Sequence, residues 1–145
     1  MQRCFAVAAL AILFGATCAW TQTYQFDIPF AFHVGEVQLS AGSYTVMYGQ
    51  PFASMVTLKS RASAKDKAST PIFSDKPVDH TKTQPKLVFN RYGSKGYFLS
   101  QIWDPGLSSS MRAVKSEHEI VTSTLIAGLW PEKVEIRATR LVDLL

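Results

Sequence analysis

Cysteine is scarce in this 145-residue chain, and both copies lie near its start, at Cys4 and Cys18. A protein that begins after this point has no thiol for nucleophilic catalysis, metal binding or a disulfide. The sequence also lacks a Gly-x-Ser-x-Gly elbow, a P-loop and a Gly-x-Gly-x-x-Gly fingerprint. Because these catalytic motifs are missing, we expect a protein that is not an enzyme and that holds no cofactor.

Histidine is almost as rare, with single residues at His33, His80 and His118. Metal sites usually combine two closely spaced ligands with a distant third one, and no two of these histidines are close in the sequence. We therefore predict no metal site and no catalytic residue. A hydrolase is the third hypothesis for function, because folding could still bring a histidine next to an acid.

Charge of one sign does not dominate, with 15 lysines and arginines against 11 aspartates and glutamates. The basic residues are spread over the whole chain, whereas nucleic-acid-binding proteins cluster them on one face. The sequence thus predicts no nucleic-acid partner.

The longest apolar run, residues 5–14, follows Arg3 and precedes a cluster of small residues that ends at Ala19. This order is typical of a signal peptide that is cut after Ala19, and it predicts a secreted or periplasmic protein. A membrane span needs ~20 apolar residues, so we expect no transmembrane span after cleavage. A lipoprotein modified at Cys18 and an uncleaved membrane anchor are the alternatives, and Thr17 before that cysteine fits the lipoprotein poorly.

Much of the remaining chain alternates apolar and polar residues with a period of two, the pattern of half-buried β-strands. In the first such segment Phe26, Ile28, Phe30 and Phe32 share one face. Pro29 cannot donate a ladder hydrogen bond, so we expect this strand to lie at a sheet edge or to break there. Further strands are predicted near residues 37–39, 44–48, 55–59, 71–74 and 134–138.

Residues 60–86 are polar and poorly patterned, and only residues 71–74 resemble a strand. Because prolines, hydroxyl residues and charged residues predominate there, we predict a long polar loop on the surface. Residues 107–114 are likewise interpreted as a flexible link.

A β-hairpin is predicted where two aromatic and β-branched runs, residues 87–92 and 97–103, flank Gly93-Ser94-Lys95-Gly96. Both faces of this pair carry apolar side chains, so we expect it in the middle of the sheet. Large aromatic rings and a neighbouring cation line many clefts for sugars and small molecules. The candidate ligand-binding residues on this ground are Arg91, Tyr92, Tyr97 and Trp103. Packing of the same rings in the core is the alternative interpretation.

Ser116-Glu117-His118-Glu119 fits a capping box. In that motif Ser116 accepts a hydrogen bond from the Glu119 amide, and the Glu119 carboxylate reaches back to the Ser116 amide. We predict a short helix that starts near residue 117 and ends near Gly128. The residues after Ile120 are weak helix formers, so a strand over residues 120–130 is the alternative.

Together these elements predict one mainly β domain over residues 20–145, after a signal peptide at residues 1–19. The expected architecture is a small antiparallel sandwich or a partly open barrel of about six to eight strands, with one short helix in the C-terminal half. With no cysteine beyond residue 18, this domain depends on packing alone for its stability.

Three segments carry a resemblance to a known group of proteins. They read Phe-Asp-Ile-Pro-Phe-Ala-Phe-His-Val-Gly at residues 26–35, Leu-Ser-Ala-Gly-Ser-Tyr-Thr-Val at residues 39–46, and the hairpin at residues 87–103. Together they resemble a group of small secreted proteins of acidobacteria. The resemblance implies a β-rich secreted fold and no known activity.

These observations favour a secreted or periplasmic, non-enzymatic protein that acts by binding or assembly at the cell envelope. A protein partner that adds a strand at an unpaired sheet edge, such as the strand with Pro29, would suit this function. A glycan or a lipid of the envelope is the other candidate partner. The alternative function is a domain that binds a small molecule or a glycan through its aromatic face.

Overall fold

The computed structural model describes residues 23–49, 54–79, 81–125 and 130–142. The fold is mainly β with one α-helix, as predicted. The helix is α1 (Glu117–Leu125). The described residues form more strands than predicted, eleven in all: β1 (Thr23–Ile28), β2 (Phe32–Val34), β3 (Val37–Leu39), β4 (Gly42–Tyr48), β5 (Met55–Ser60), β6 (Lys67–Pro77), β7 (Lys86–Arg91), β8 (Tyr97–Trp103), β9 (Ser109–Ala113), β10 (Glu132–Arg137) and β11 (Arg140–Val142). The predicted signal peptide, residues 1–19, lies outside the described residues.

The strands form one mixed sheet in the order β10-β7-β8-β9-β6-β5-β4-β1-β11, and this sheet is not closed into a barrel. A hairpin of β2 and β3 lies beside this path, and β2 runs parallel to β8. Strand β6 is shared by two halves of the sheet, because residues 67–71 pair with β5 and residues 72–77 pair with β9. The sheet therefore has two halves that are joined through β6.

The chain passes between the two halves again at its C-terminal end, from β10 to β11. The Ala138 amide donates a hydrogen bond to the Pro85 carbonyl beside β7, at 3.0 Å. The next amide, of Thr139, donates to the Gln25 carbonyl of β1 at 2.9 Å. Two consecutive residues thus connect the two ends of the strand order.

The hydrophobic core lies between the two halves, and Phe32 contacts both. The centroid of its ring lies 5.1 Å from that of Tyr44 in one half and 5.3 Å from that of Phe89 in the other. All three rings are buried. Burial of a large apolar side chain contributes about 1.5–3 kcal/mol, so contacts of this kind hold the halves together without a disulfide.

Pro29 breaks the first predicted strand, but this strand does not lie at an edge. β1 ends at Ile28, and β2 begins at Phe32. Strand β1 pairs with β4 on one side and with β11 on the other. The predicted break at Pro29 is confirmed, and the alternative of a sheet edge is wrong, because a strand from the far end of the chain, β11, pairs with residues 23–25 of β1.

The polar loop predicted at residues 60–86 is wrong over residues 67–77, which form the eleven-residue strand β6. Ala68, Thr70 and Ile72 face inward and are buried, whereas the residues between them are exposed. Two of these three inward residues are small or polar. The strand therefore does not show the alternation of large apolar residues with polar ones by which a half-buried strand is usually predicted. The link predicted over residues 107–114 likewise contains a strand, β9, which pairs with β6 and β8.

The structure confirms the central hairpin and the helix. Strand β7 lies between β10 and β8, and β8 lies between β7 and β9. Gly93 and Gly96 in the turn of this hairpin have φ angles of +54° and +125°, a region that favours glycine. The helix begins at Glu117 as predicted, and the predicted end near Gly128 lies outside the described residues.

Candidate functional site

Two side chains cap the first turn of α1. The Ser116 hydroxyl accepts a hydrogen bond from the Glu119 amide at 3.1 Å, as the capping box predicts. Glu36, in the turn between β2 and β3, supplies a second cap, because its Oε1 accepts a hydrogen bond from the Glu117 amide at 2.8 Å. These oxygens satisfy amides that have no partner within the helix, and the Glu36 carboxylate also suits the positive end of the helix dipole.

The Glu119 carboxylate anchors α1 to the sheet instead of completing the capping box. Glu119 is 3% exposed, and its Oε1 accepts hydrogen bonds from the Tyr92 hydroxyl at 2.9 Å and from Asn90 Nδ2 at 3.0 Å. Asn90 in turn accepts a hydrogen bond from the Lys133 ammonium of β10. The predicted return of this carboxylate to the Ser116 amide is wrong, because a buried carboxylate needs donors and the sheet supplies them.

Burial and the nearby Glu119 carboxylate shift the pKa values of Tyr92 and Lys133. The pKa of Tyr92 lies well above its ordinary value, first because the phenol is buried and then because its hydroxyl donates to Glu119. The pKa of Lys133 is lowered by burial, which outweighs the opposing attraction of Glu119. Tyr92 therefore keeps its proton at neutral pH and remains a hydrogen-bond donor to the helix.

Two histidines meet beside the start of the helix. The His33 ring of β2 stacks on Phe98 of β8 with centroids 4.5 Å apart, and the His118 ring of α1 lies 4.9 Å from that of His33. His33 is buried, and its Nδ1 has no hydrogen-bond partner in the described part of the chain. Its pKa is lowered first by burial and then by His118, against the opposing effects of Glu36 and Glu119. His80 lies outside the described residues.

The polarity of α1 is inverted. Its buried residues are polar, Glu119 and Thr122, whereas Ile120, Val121 and Leu125 are 52%, 53% and 74% exposed. A helix that packs on a sheet usually turns its apolar side inward. Here the polar anchor takes that place, and the three apolar side chains, which we call the apolar strip, face away from the sheet.

An open groove of about 540 Å³ runs beside the helix. We call it the α1 groove, and its lining consists of Glu36, Lys95, Glu117, His118, Val121, Thr122 and Leu125. Trp130 follows five residues after the end of the helix and is 95% exposed. Exposed apolar side chains bordered by charges are typical of a surface that contacts another molecule.

The four residues predicted to bind a ligand lie in three separate places. Arg91 and Tyr97 form a cross-strand pair, with the guanidinium carbon 5.5 Å from the ring centroid. Tyr92 is buried against α1. Trp103 lies at the other end of β8, opposite Lys86 of β7. The structure brings together two of the four, and ligand binding by these residues stays a prediction.

Like Tyr92, the other three side chains already have close contacts within the protein. Tyr97 stacks on Phe30 with ring centroids 3.8 Å apart, and Lys86 Nζ lies 5.1 Å from the ring centroid of Trp103. Arg91 Nη1 lies 3.6 Å from a carboxylate oxygen of Glu132. A ligand at these positions would have to replace some of these contacts.

Two features are absent from the described residues. No group of three or more histidine, cysteine, aspartate or glutamate side chains lies close enough there to hold a metal ion. No helix within residues 23–49, 54–79, 81–125 and 130–142 is long and apolar enough to cross a bilayer. His33 and His118 form a pair of imidazole rings, and no group of three potential ligands forms around them among the described residues.

The Glu36 cap, the histidine pair and the direction of the apolar strip were not predicted from the sequence. The first two depend on residues that are far apart in the chain, since Glu36 and Glu117 are separated by 81 positions. The strip has a sequence signal, because apolar residues at positions 120, 121 and 125 fall on one side of a helix. The same signal usually predicts a side that faces the core, so the pattern does not give the direction.

Comparisons of this chain with protein-family models, with curated proteins and with solved structures find no match. Inferences about function therefore rest on the geometry around α1.

Proposed function

We propose that this protein is a non-enzymatic assembly protein of the cell envelope, exported by its N-terminal leader, that associates with protein through the apolar strip of α1. The observation that carries the proposal is the inverted polarity of the helix. Its polar residues Glu119 and Thr122 are buried, while Ile120, Val121 and Leu125 are exposed. Covering such side chains is favourable by about 25 cal/mol per Å² of apolar surface.

The anchor beneath α1 suits this function because it fixes the helix without using the apolar strip. Tyr92 and Asn90 hold Glu119 from the sheet side, and Glu36 holds the first turn. The strip is therefore presented on a helix that is already positioned. A binding surface that is ordered before association loses less conformational entropy when a partner binds.

The leader supports the compartment in this proposal. Arg3, the apolar run at residues 5–14 and the small residues before Trp20 have the order of an export signal. The described residues contain no cysteine, so the domain needs no disulfide in an oxidising compartment.

The two other hypotheses have weaker support. For the glycan hypothesis, the rings of Tyr97 and Trp103 are in contact with Phe30 and Lys86. For the hydrolase hypothesis, the structure does bring His33 next to His118. A catalytic base is usually oriented by a hydrogen bond to a third group, however, and His33 Nδ1 lacks one within the described residues.

Sedimentation velocity over a range of concentrations tests the proposal. We expect the full chain to associate as its concentration rises, and the double variant Val121→Gln/Leu125→Gln to associate at least ~10-fold more weakly, equivalent to about 1.4 kcal/mol. Glutamine keeps helix propensity close to that of leucine, so unfolding of α1 is avoided.

The matched control is Met47→Gln on β4, because Met47 is also an exposed apolar residue, at 46%. It should associate like the unmodified chain. A chain that stays monomeric at every concentration, or a double variant that associates as well as the control, contradicts the proposal.

A further inference from the structure

Trp130 is the most exposed of the large apolar side chains in the described part of the chain, at 95%. Tryptophan is enriched at protein interfaces and dominates their binding energy when it enters a pocket. An indole that contacts almost nothing in its own fold is thus suited to a contact with another molecule.

The α1 groove is a pocket of matching character. Val121 and Leu125 supply its apolar wall, and Glu36, Glu117 and Lys95 supply charges of both signs at its border. An apolar centre with a polar rim is the usual composition of an interface pocket. Trp130 lies two residues before Glu132, which pairs with Arg91 at the end of β7, and the groove residue Lys95 lies in the turn that follows β7. Both therefore lie towards the same end of the β7–β8 hairpin.

The charges at the groove favour a second copy of the chain over an anionic lipid surface. Glu36 and Glu117 would be repelled by acidic head groups. A two-fold axis instead sets each patch against an identical patch. Lys95 of one copy can then approach Glu36 or Glu117 of the other. The positive and negative charges at the border of the groove would thus attract their opposites across the axis.

We propose that two copies of this chain associate about a two-fold axis, with Trp130 of each copy seated in the α1 groove of the other. This inference rests on the proposed function, because it assigns the partner of the same helix surface. It adds a specific contact, between Trp130 of one copy and Val121 and Leu125 of the other.

Cross-linking between two single-cysteine chains tests this contact. Cys4→Ser and Cys18→Ser give a full chain without cysteine, whether or not residues 1–19 are removed in the host. Val121→Cys is introduced in one sample and Trp130→Cys in another, and the two are mixed and treated with a short bis-maleimide. Each mixed dimer keeps one intact Trp130 and one intact groove, so association is retained in part.

We expect at least ~10-fold more cross-linked mixed dimer from this pair than from Met47→Cys mixed with Trp130→Cys, since β4 lies outside the proposed contact (the factor is ~1.4 kcal/mol in effective affinity). Equal yields from the two mixtures overturn the inference.

Association of Trp130→Ala separates this inference from the proposed function. We expect it to weaken self-association in sedimentation, whereas Phe73→Ala, an exposed aromatic residue on β6, should not. If Trp130→Ala associates normally while Val121→Gln/Leu125→Gln does not, the inference is wrong and the proposed function stands. If the unmodified chain does not associate, both are wrong. Binding of the monomer to phosphatidylglycerol vesicles that depends on Trp130, without self-association, also overturns both.

Discussion

At the scale of single residues, Glu119 decides how α1 lies on the sheet. It is a buried carboxylate whose Oε1 accepts hydrogen bonds from Tyr92 and Asn90, and it belongs to a helix whose apolar residues are exposed. A buried charge that loses a donor retains the cost of its desolvation. The position of the helix therefore depends on a few polar contacts more than on apolar burial.

Tyr92→Phe tests this anchor. Removal of the hydroxyl takes one donor from Glu119 and should lower the free energy of unfolding by about 2 kcal/mol, the usual range for a hydrogen bond to a charged group being about 1.5–3 kcal/mol. Tyr97→Phe is the matched control, because this neighbouring tyrosine is half-buried and its ring stacks on Phe30. Urea denaturation of both variants measures the effect, and an equal loss in the two would argue against the anchor.

His33 predicts a loss of stability at acidic pH. Its pKa in the unfolded chain is about 6.5 and is lower in the folded protein, because the ring is buried and faces His118. Below pH 6.5 the unfolded chain binds more protons at this site than the folded chain does. The free energy of unfolding therefore decreases as the pH is lowered from 6.5 to the pKa of His33 in the folded protein. Above pH 6.5 this contribution is constant.

His33→Phe isolates that contribution. Phenylalanine can keep the stack on Phe98 and cannot be protonated, so the variant should lose less stability than the unmodified protein between about pH 7.5 and pH 5. Urea midpoints at both pH values provide the measurement. Glu36, Glu119 and His118 remain in place in this variant, and an unchanged loss would assign the acid sensitivity to groups other than His33.

At the scale of secondary structure elements, β6 shows why a polar sequence can still form a long strand. Its inward positions alternate correctly, and its buried residues Ala68 and Thr70 are small or polar. Pairing with β5 and then with β9 supplies the ladder hydrogen bonds that the composition does not suggest. The segment is therefore ordered by its neighbours on both sides.

A pair of adjacent alanine substitutions tests the orientation of β6. Ile72 is 7% exposed and Phe73 is 48% exposed. Ile72→Ala should lower the free energy of unfolding by about 3 kcal/mol through loss of burial and a cavity. Phe73→Ala should cost less than about 1 kcal/mol, mainly through its contact with Arg112. Thermal or urea denaturation measures both free energies of unfolding. Similar losses in the two variants would contradict an orientation in which Ile72 faces the core and Phe73 faces solvent.

At the scale of the whole molecule, strand β6 and the chain between β10 and β11 are two of the connections that join the halves of the sheet. Strand β6 pairs in both halves, and Ala138 and Thr139 link the ends of the strand order. These connections involve residues far apart in the sequence, and none of the described residues is a cysteine. Packing and hydrogen bonding alone therefore hold the halves together.

The proposed export signal gives a prediction for the whole protein. Isolated from a secreting host, the protein should begin at Trp20, because cleavage after Ala19 fits the small-residue rule. Both cysteines are then lost, so its unfolding temperature should be the same with and without a reductant. Intact mass spectrometry and calorimetry make these measurements. A lipid mass on the unmodified chain that disappears in Cys18→Ser would instead support the lipoprotein alternative.

The sequence by itself determined the local features of this protein. Alternating residues such as Tyr44 and Val46 predicted strands, the glycines at 93 and 96 predicted the hairpin turn, and Ser116 predicted the start of α1. These predictions succeed because strand faces, turn conformations and helix caps depend on residues only a few positions apart.

Only the tertiary structure decided which strands pair and which way α1 faces. The cover on β1 by β11, the burial of β6, the Glu36 cap and the anchoring of Glu119 each join distant parts of the chain. The amphipathic pattern of α1 is the same whether its apolar side faces inward or outward. The donors beneath the helix decide that direction, because burial of the Glu119 carboxylate is tolerated only where Tyr92 and Asn90 can bind it.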